Sequence, residues 1–450
     1  MRHARRLEVR HLRLLPRPAR VGNLSGTARP DDVVRLRGTT LVVAVTAATT
    51  LAAGCGSGAA GGNTSCGTPG FSADQVKIGF VYPDSGSMAQ VFTATRAGFV
   101  ARVEKANADG GIHGRNIVYE WRDDQGDEAR NLNAVRELVD QEQVFGLAEA
   151  TTASSGGADY LRDLNVPVFG LPVGAEWSDR SYPNMFAVAY LGPAGESVTT
   201  FGRMIKAQGG TRAAIITSDV GQSDNGLGLK IVRSLEAVGV DVVPQRFVYN
   251  ATHTDVAQLA AQLKAADVDV VTGGVTARDL GQIMRGGRAA GLPARTIYLA
   301  ADGYDKALLQ EEGPAIAGMY TWAGAIPWNA DTPAQRDYLD AMRRYAPEQQ
   351  PPDQDLAVAA YLLTDLFLTG LDKAGACPTR ADFIQDLRNT DGYDAGGLMS
   401  TRANLRDWGH MNPCYTFVRV NAQGTGYDVV PDPARGTQNW CGELLPAPAQ

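Results

Sequence analysis

Four hydroxyl side chains crowd one short stretch, Glu149 to Gly157 (EATTASSGG): Thr151, Thr152, Ser154 and Ser155. Placed between an apolar strand and a helix, such a run can hold a carboxylate, because hydroxyl donors and the positive end of the helix dipole both favour an anion. Charge-assisted hydrogen bonds of this kind contribute roughly 1.5–3 kcal/mol each. Ser154 or Ser155 would equally serve as a plain helix N-cap. Asp302 stands just beyond the apolar run Ile297 to Ala300, where its carboxylate could pair with a ligand ammonium, or equally form a turn or a cap. Asp123 and Asp124 are adjacent acids whose side chains diverge on an extended segment. The nucleophile elbow G-x-S-x-G, the Walker A loop and H-E-x-x-H do not occur, and Gly226-Leu227-Gly228 lacks the third glycine of a dinucleotide fingerprint. These residues point to binding rather than turnover, so no enzyme activity is expected.

The elements that would carry these residues alternate strictly. Val76 to Pro83 reads as an apolar strand, followed by a helix with Phe92, Phe99 and Val103 at turn-like spacing that ends at Gly110 and Gly111. Strands are then expected at 117–121, 144–148 and 167–170, with helices at 129–141 and 154–164 between them. A second series begins near Gly195: helix 196–208, strand 213–217, helix 226–238, strand 242–249, helix 255–265, strand 268–272, helix 278–290 and strand 296–300. Helices at 333–345, 356–374 and 380–387 and a strand at 414–421 look like additions to these two units. Such alternation implies α/β lobes with parallel sheets, right-handed crossovers and helices on both faces. Ligands of open parallel sheets sit beyond the carboxyl ends of the strands. That rule selects the loops Asp84 to Met88, which offers Ser85 and Ser87, Glu149 to Gly157 and Leu171 to Trp177 in the first lobe. In the second it selects Ser218 to Gly226, Gly273 to Arg278 and Ala301 to Tyr304. Trp177, Tyr82 and Tyr304 would either wall a pocket or fill a lobe core.

Residues 1–54 hold ten arginines against Glu8, Asp31 and Asp32, a net charge of +7 in a chain whose total is −7. The rest is therefore acidic, which argues against nucleic acid or anionic lipid as a partner. The only continuous apolar run, Leu41 to Ala53, is shorter than the roughly 20 residues a membrane-spanning helix needs. It follows Arg35 and Arg37 and ends at Ala52-Ala53-Gly54-Cys55, the order of an export signal. The end resembles a bacterial lipobox, with Ala52 where leucine is commonest. The resemblance implies a diacylglyceryl group on Cys55, which becomes the new N-terminus and anchors the chain to the outer face of a membrane. Residues 56–70 are almost all small and turn-prone and read as a flexible tether. Cys66, Cys377, Cys414 and Cys441 make an even set in a chain bound for an oxidising compartment. Of the three possible pairings, Cys377 with Cys414 and Cys66 with Cys441 is preferred, since the second bond would pin the start of the body to its tail. Cysteine and histidine spacing is wrong for zinc, and neither a metal nor a cofactor is expected.

Five motifs in fixed order carry a wider resemblance: SGSMAQ (Ser85 to Gln90), NADGGIHGR (Asn107 to Arg115), YEWRDDQGDEARNLNAVREL (Tyr119 to Leu138), GQIMRGGRAAGL (Gly281 to Leu292) and LAADGY (Leu299 to Tyr304). The chain resembles the type I periplasmic-binding proteins of branched-chain amino acid ABC transporters. This implies two Rossmann-like lobes joined by three crossings near residues 190, 323 and 408. The first lobe would take residues 76–190 and 324–408 and the second 191–323 and 409–441, after an export signal (1–54) and tether (55–75) and before a tail (442–450). It also implies a small-molecule ligand, an ABC permease as partner, a single-chain protein, and lobes that close on the ligand. Thr151, Thr152 and Ser154 match the family's run for the ligand carboxylate, and Asp302 falls where an acid receives the ligand ammonium. The threonine of the second ligand loop falls at Ala175, the tyrosine after the first strand at Val91, and the second-lobe tyrosines at Ser223 and Val275. Those replacements leave an amino acid as the leading ligand class, with an amide, a urea-like molecule or an aromatic acid close behind. A ligand sensor of the same fold is the alternative to a transport role.

Overall fold

The computed structural model describes residues 66–218, 226–301, 304 and 306–448. The export stretch, Cys55, Ser223 and Asp302 lie outside these described residues. The first series runs β1 (Gln75–Tyr82), α1 (Ala89–Ala108), β2 (Asn116–Asp123), α2 (Glu128–Arg136), β3 (Leu147–Glu149), α3 (Ser155–Asp163), β4 (Val168–Gly170) and β5 (Met185–Phe186). Its five strands form one parallel sheet in the order β2-β1-β3-β4-β5. The second series starts with β6 (Ser197–Val198), α4 (Thr200–Ala207), β7 (Arg212–Ser218), α5 (Leu227–Ala237), β8 (Asp241–Val242), β9 (Phe247–Tyr249) and α6 (Val256–Ala265). It continues with β10 (Val270–Gly274), α7 (Ala277–Ala290), β11 (Ile297–Leu299), α8 (Lys306–Glu312) and β12 (Tyr320–Ala323). Then come α9 (Pro333–Tyr345), α10 (Asp355–Lys373), α11 (Arg380–Arg388), β13 (Cys414–Val420), β14 (Tyr427–Val429), β15 (Trp440–Cys441) and β16 (Leu444–Leu445).

The second sheet follows the path β14-β13-β12-β11-β10-β7-β8, with β9 also on β7 and β15 on β13. Its centre is parallel, and the C-terminal strands join antiparallel to β12 and β13. A single strand over 242–249 is interrupted. Arg212 pairs with Asp241 but Ile216 with Phe247, so the edge strand bulges by two residues around Pro244, which has no amide to give the ladder. The helix expected from Glu196 opens instead with the two-residue strand β6, which pairs with β16.

Each sheet is covered on both faces. In the first lobe α1, α9, α10 and α11 bury one face and α2 and α3 the other. In the second, α6, α7 and α8 bury one face and α4 and α5 the other. Contact between α1 and α10 is close enough that a Cβ on Gly98 would lie 1.9 Å from the Ala357 carbonyl oxygen, which only glycine avoids. The NADGGIHGR motif works structurally. Asn107 accepts from the Ile117 amide at 2.7 Å and donates to the Ile117 carbonyl at 2.9 Å, clamping the start of β2 to the end of α1.

The chain passes between lobes after β5, after β12 and before β13, three crossings in all. At the first-lobe end of the hinge the Arg388 guanidinium lies 4.0 Å from the ring centroids of both Phe186 and Trp408. It donates to the Pro183 and Met185 carbonyls and to the Tyr190 hydroxyl. At the second-lobe end Glu196 accepts from the Met411 amide at 2.7 Å and meets His410 Nδ1 at 2.7 Å, tying the first crossing to the third. Beside it the buried Lys230 ammonium donates to the carbonyls of Gly192, Pro193 and Glu196.

The disulfides are Cys66–Cys377 and Cys414–Cys441, which corrects the expected Cys66–Cys441 and Cys377–Cys414. Cys377 follows α10 on the first lobe, where Arg115 reaches both the Ser72 and Ala376 carbonyls and so brings the start of the body alongside. Cys414 and Cys441 face each other directly across the β13/β15 ladder. Sequence spacing carried neither proximity.

Candidate functional site

The carboxyl end of β1 leads into the loop holding Ser85 and Ser87, and the carboxyl end of β2 leads into Asp123 and Asp124. The two acids do diverge. Asp123 receives the Ser85 hydroxyl at 2.6 Å and the amides of Asp84, Ser85 and Gln125. Partial burial pushes its carboxyl up, but these hydrogen bonds prevail and hold it below the usual range. Ser85 thus fastens two loops together. Ser87 is exposed, as is Val91 at 50 %.

Asp124 points the other way, into a buried polar centre. One Asn131 amide group donates at 3.2 Å to Asp124 and at 3.0 Å to Glu149 Oε1, and all three side chains are essentially without solvent access. Asp124 also accepts from the Gly126 amide at 3.0 Å. Burial pushes the Glu149 carboxyl up to about 8; the Asn131 donor pulls it down, and the neighbouring Asp124 and Glu176 charges raise it further. Above this centre lie the four expected hydroxyls. Ser154 is fully buried, donating to Glu176 at 2.7 Å and accepting from the Trp177 indole at 2.9 Å. Thr151 is buried and accepts from the Ala153 amide, while Ser155 donates to Glu128 at 2.8 Å. Only Thr152 of the four is exposed without a hydrogen bond to these neighbours. Ala175 is exposed at the head of the short turn Ala175–Ser178, next to Val173 at 46 % exposure.

In the second lobe Val275 is 1 % exposed and belongs to the core with Leu280, Ile283 and Tyr298, which corrects its expected place at a ligand. Strand β10 is flanked by helices on both faces, so a β-branched apolar residue at its exit turns inward. Tyr304 is buried too. Its hydroxyl accepts from the Trp328 amide, and its ring packs against that of Tyr427 at 4.8 Å between centroids with a tilt of 51°. Trp177 and Tyr82 are likewise core residues. Two residues after Tyr304, Lys306 at the start of α8 places its ammonium 2.6 Å from the carboxylate of Asp353, which is 2 % exposed in the loop before α10. That ion pair joins the lobes beside the second crossing.

The structure therefore gathers Ser85, Ser87, Thr151, Thr152, Ser154 and Ala175 at the strand ends of one lobe, but turns Ser154, Val275 and Tyr304 inward. A cleft of about 540 Å³ lies elsewhere, between the first and third crossings, lined by Tyr190, Asn404, Asp407, His410, Asn412 and the Cys414–Cys441 bridge among others. Among the described residues it touches none of those expected to meet a ligand. Sequence reading missed Asn131 and Glu149. Asn131 shares a helical face with Ala134, Val135 and Leu138, and that inward spacing was the available signal. Among the described residues no group of three or more His, Cys, Asp or Glu could hold a metal, and no helix is long and apolar enough to cross a membrane.

A family model described as periplasmic binding protein matches residues 75–425. The leucine-, isoleucine-, valine-, threonine- and alanine-binding protein of Pseudomonas aeruginosa is 24 % identical over 361 residues, covering 78 % of this chain and 94 % of that protein. Among solved structures, a branched-chain amino acid ABC transporter protein of Thermus thermophilus with bound valine superposes with a TM-score of 0.66 at 15 % identity, over 80 % of this chain and 96 % of its own. A solute-binding protein of an ABC transporter from R. palustris in complex with benzoate gives a TM-score of 0.64 at 15 % identity, over 82 % and 97 %. Two α/β lobes, three crossings and a match over most of the chain lead to one conclusion: this chain belongs to the periplasmic binding protein family and has its type I fold.

Proposed function

We propose that the protein is the lipid-anchored, extracytoplasmic binding component of an ABC importer and captures a small carboxylate ligand, an amino acid first of all, between its lobes. The observation that carries this reading is the tip after β3. Exposed Thr152 stands there before the N-terminus of α3, where the helix dipole favours an anion. Asp302, from the opposing lobe, would take the ligand ammonium. A ligand that touches both lobes shifts the open and closed populations by its differential affinity for them. The lipid on Cys55 and the tether 56–70 would keep the body near its permease, and the Cys66–Cys377 bond supports a fixed end to that tether on the first lobe.

A second reading has its own support. Val91, at the start of α1, and Val173, in the loop after β4, are both about half exposed and would give the cleft an apolar wall, which suits an aromatic or branched acid without an ammonium. A thermal-shift panel of amino acids, amides and aromatic acids separates the two. A ligand at 100 times its Kd adds about 2.7 kcal/mol of stability. Stabilisation by α-amino acids, weakened at least tenfold in Asp302→Ala, is the expected result; stabilisation by aromatic acids alone would replace the first reading with the second. If no carboxylate of any kind stabilises the protein, both readings fail.

A further inference from the structure

Among the buried polar atoms of the first lobe that lack a hydrogen-bond partner within the described residues, two belong to side chains already bonded to each other: Asn131 Oδ1 and Glu149 Oε2. An amide oxygen requires a donor. A carboxylate oxygen cannot be one, but a carboxylic acid can. Asn131 already donates to Glu149 Oε1 at 3.0 Å, so a proton on the other oxygen of Glu149 completes a cyclic acid–amide pair and satisfies both atoms at once. The charges that act on Glu149 argue the same way: Asp124 at the end of β2 and Glu176 in the turn after β4 are both negative, and burial opposes a third anion among them. From the other elements packed around it, Asn131 of α2, Val81 of β1, Gly170 of β4 and Ser154 at the start of α3 bring no charge.

We propose that Glu149 carries a proton on Oε2, donates it to Asn131 Oδ1, and by this neutral pair positions the ligand loops of the first lobe, which loosen when the proton leaves to solvent. The mechanical link is short. The Glu149 carbonyl accepts from the Leu171 amide at 3.2 Å and so starts the 171–177 loop, and the next amide, of Ala150, is held by the Val81 carbonyl at 2.9 Å at the start of the hydroxyl loop. Asp124, on the other side of Asn131, holds the Gly126 amide, and Gly126 lies under Met88 and Thr152. An added charge on Glu149 therefore repels groups that support all three loops. Describing these as ligand loops rests on the function proposed above; the proton and its effect on the loops do not.

The test needs no ligand. Carbon-detected NMR of the side-chain carboxyls in the intact protein should show Glu149 titrating at least two pH units above the exposed glutamates. Hydrogen-exchange protection of amides 150–157 and 171–177, corrected for base catalysis, should fall about tenfold between pH 6 and pH 9. In Glu149→Gln, whose amide keeps both hydrogen bonds to Asn131 without an ionisable proton, that fall should vanish. A Glu149 resonance that titrates with the exposed carboxylates overturns the proposal even if the variant fails to fold. So does the same pH dependence of loop protection in both proteins.

Discussion

The strand ends of the two lobes are built from different materials. In the first lobe, buried polar groups hold the loops: Asp124, Asn131 and Glu149 form one hydrogen-bonded group beneath them, Ser154, Glu176 and Trp177 a second, and Arg388 clamps β5. In the second lobe, among the described residues, apolar side chains do so: Val275, Leu299 and Ala300 are all 1 % exposed or less, and Tyr304 is packed against Tyr427. Polar networks fix direction as well as position, because each hydrogen bond has a required geometry and an unmade one is costly. Apolar packing fixes position but tolerates small rotations. If the lobes close on a ligand as proposed, the first lobe would be the pre-set half of the site and the second the half that adjusts.

That contrast is testable as a ranking of stability costs. The largest belongs to Arg388→Ala, which leaves the Pro183 and Met185 carbonyls and the Tyr190 hydroxyl without their donor and removes a cation stacked between Phe186 and Trp408. A loss of about 4 kcal/mol in denaturant unfolding is expected. A loss below about 1 kcal/mol would mean that the hinge end of the first lobe is not held by this residue.

Next comes pH. The folded-state pKa of Glu149 is about 8 against an ordinary 4.5, so between these values the folded chain binds more protons than the unfolded one. Stability from this group is complete below about pH 4.5, declines as pH rises, and is fully lost above about pH 8. By pH 7 the decline is on the order of 3 kcal/mol. Urea unfolding from pH 5 to pH 8 should show this slope in the native protein and a shallower one in Glu149→Gln. Parallel slopes would place the pH dependence elsewhere and remove one support of the contrast.

Ser154→Ala should cost about 2 kcal/mol, because it strips one hydrogen bond each from the buried Glu176 carboxylate and the Trp177 indole. The variant also bears on the sequence reading. Ser154 was assigned to a ligand because its type and position fitted, yet its hydroxyl serves the protein. Hydroxyl count was legible and direction was not, since a one-residue difference at a strand end decides whether a side chain points to the cleft or the core. The alternation of strand and helix was legible because burying a sheet on both faces forces a repeating apolar pattern: the helix expected over 333–345 is α9 residue for residue. What escaped was whatever depends on elements distant in sequence. The disulfide partners, the two-residue bulge at Pro244 and the Asn131–Glu149 contact each require knowing which strands and helices become neighbours.

The smallest expected effect is in the second lobe. Thr276 caps α7, accepting from the Asp279 amide at 3.1 Å and donating to the Asp279 carboxylate at 2.9 Å, both on an exposed surface. Thr276→Ala should cost about 1 kcal/mol, the usual loss of an N-cap, and water can replace the lost bonds. It sits one residue from Val275, at the position in the second lobe that corresponds to the hydroxyl loop of the first, so it is the fair counterpart of Ser154. If the two alanine variants cost the same, the difference between the lobes lies in burial alone, and the polar centre beneath the first-lobe loops adds no rigidity of its own. If Ser154→Ala costs the larger amount and also lowers exchange protection across residues 150–157, the pre-set character of the first lobe follows from its hydrogen bonds.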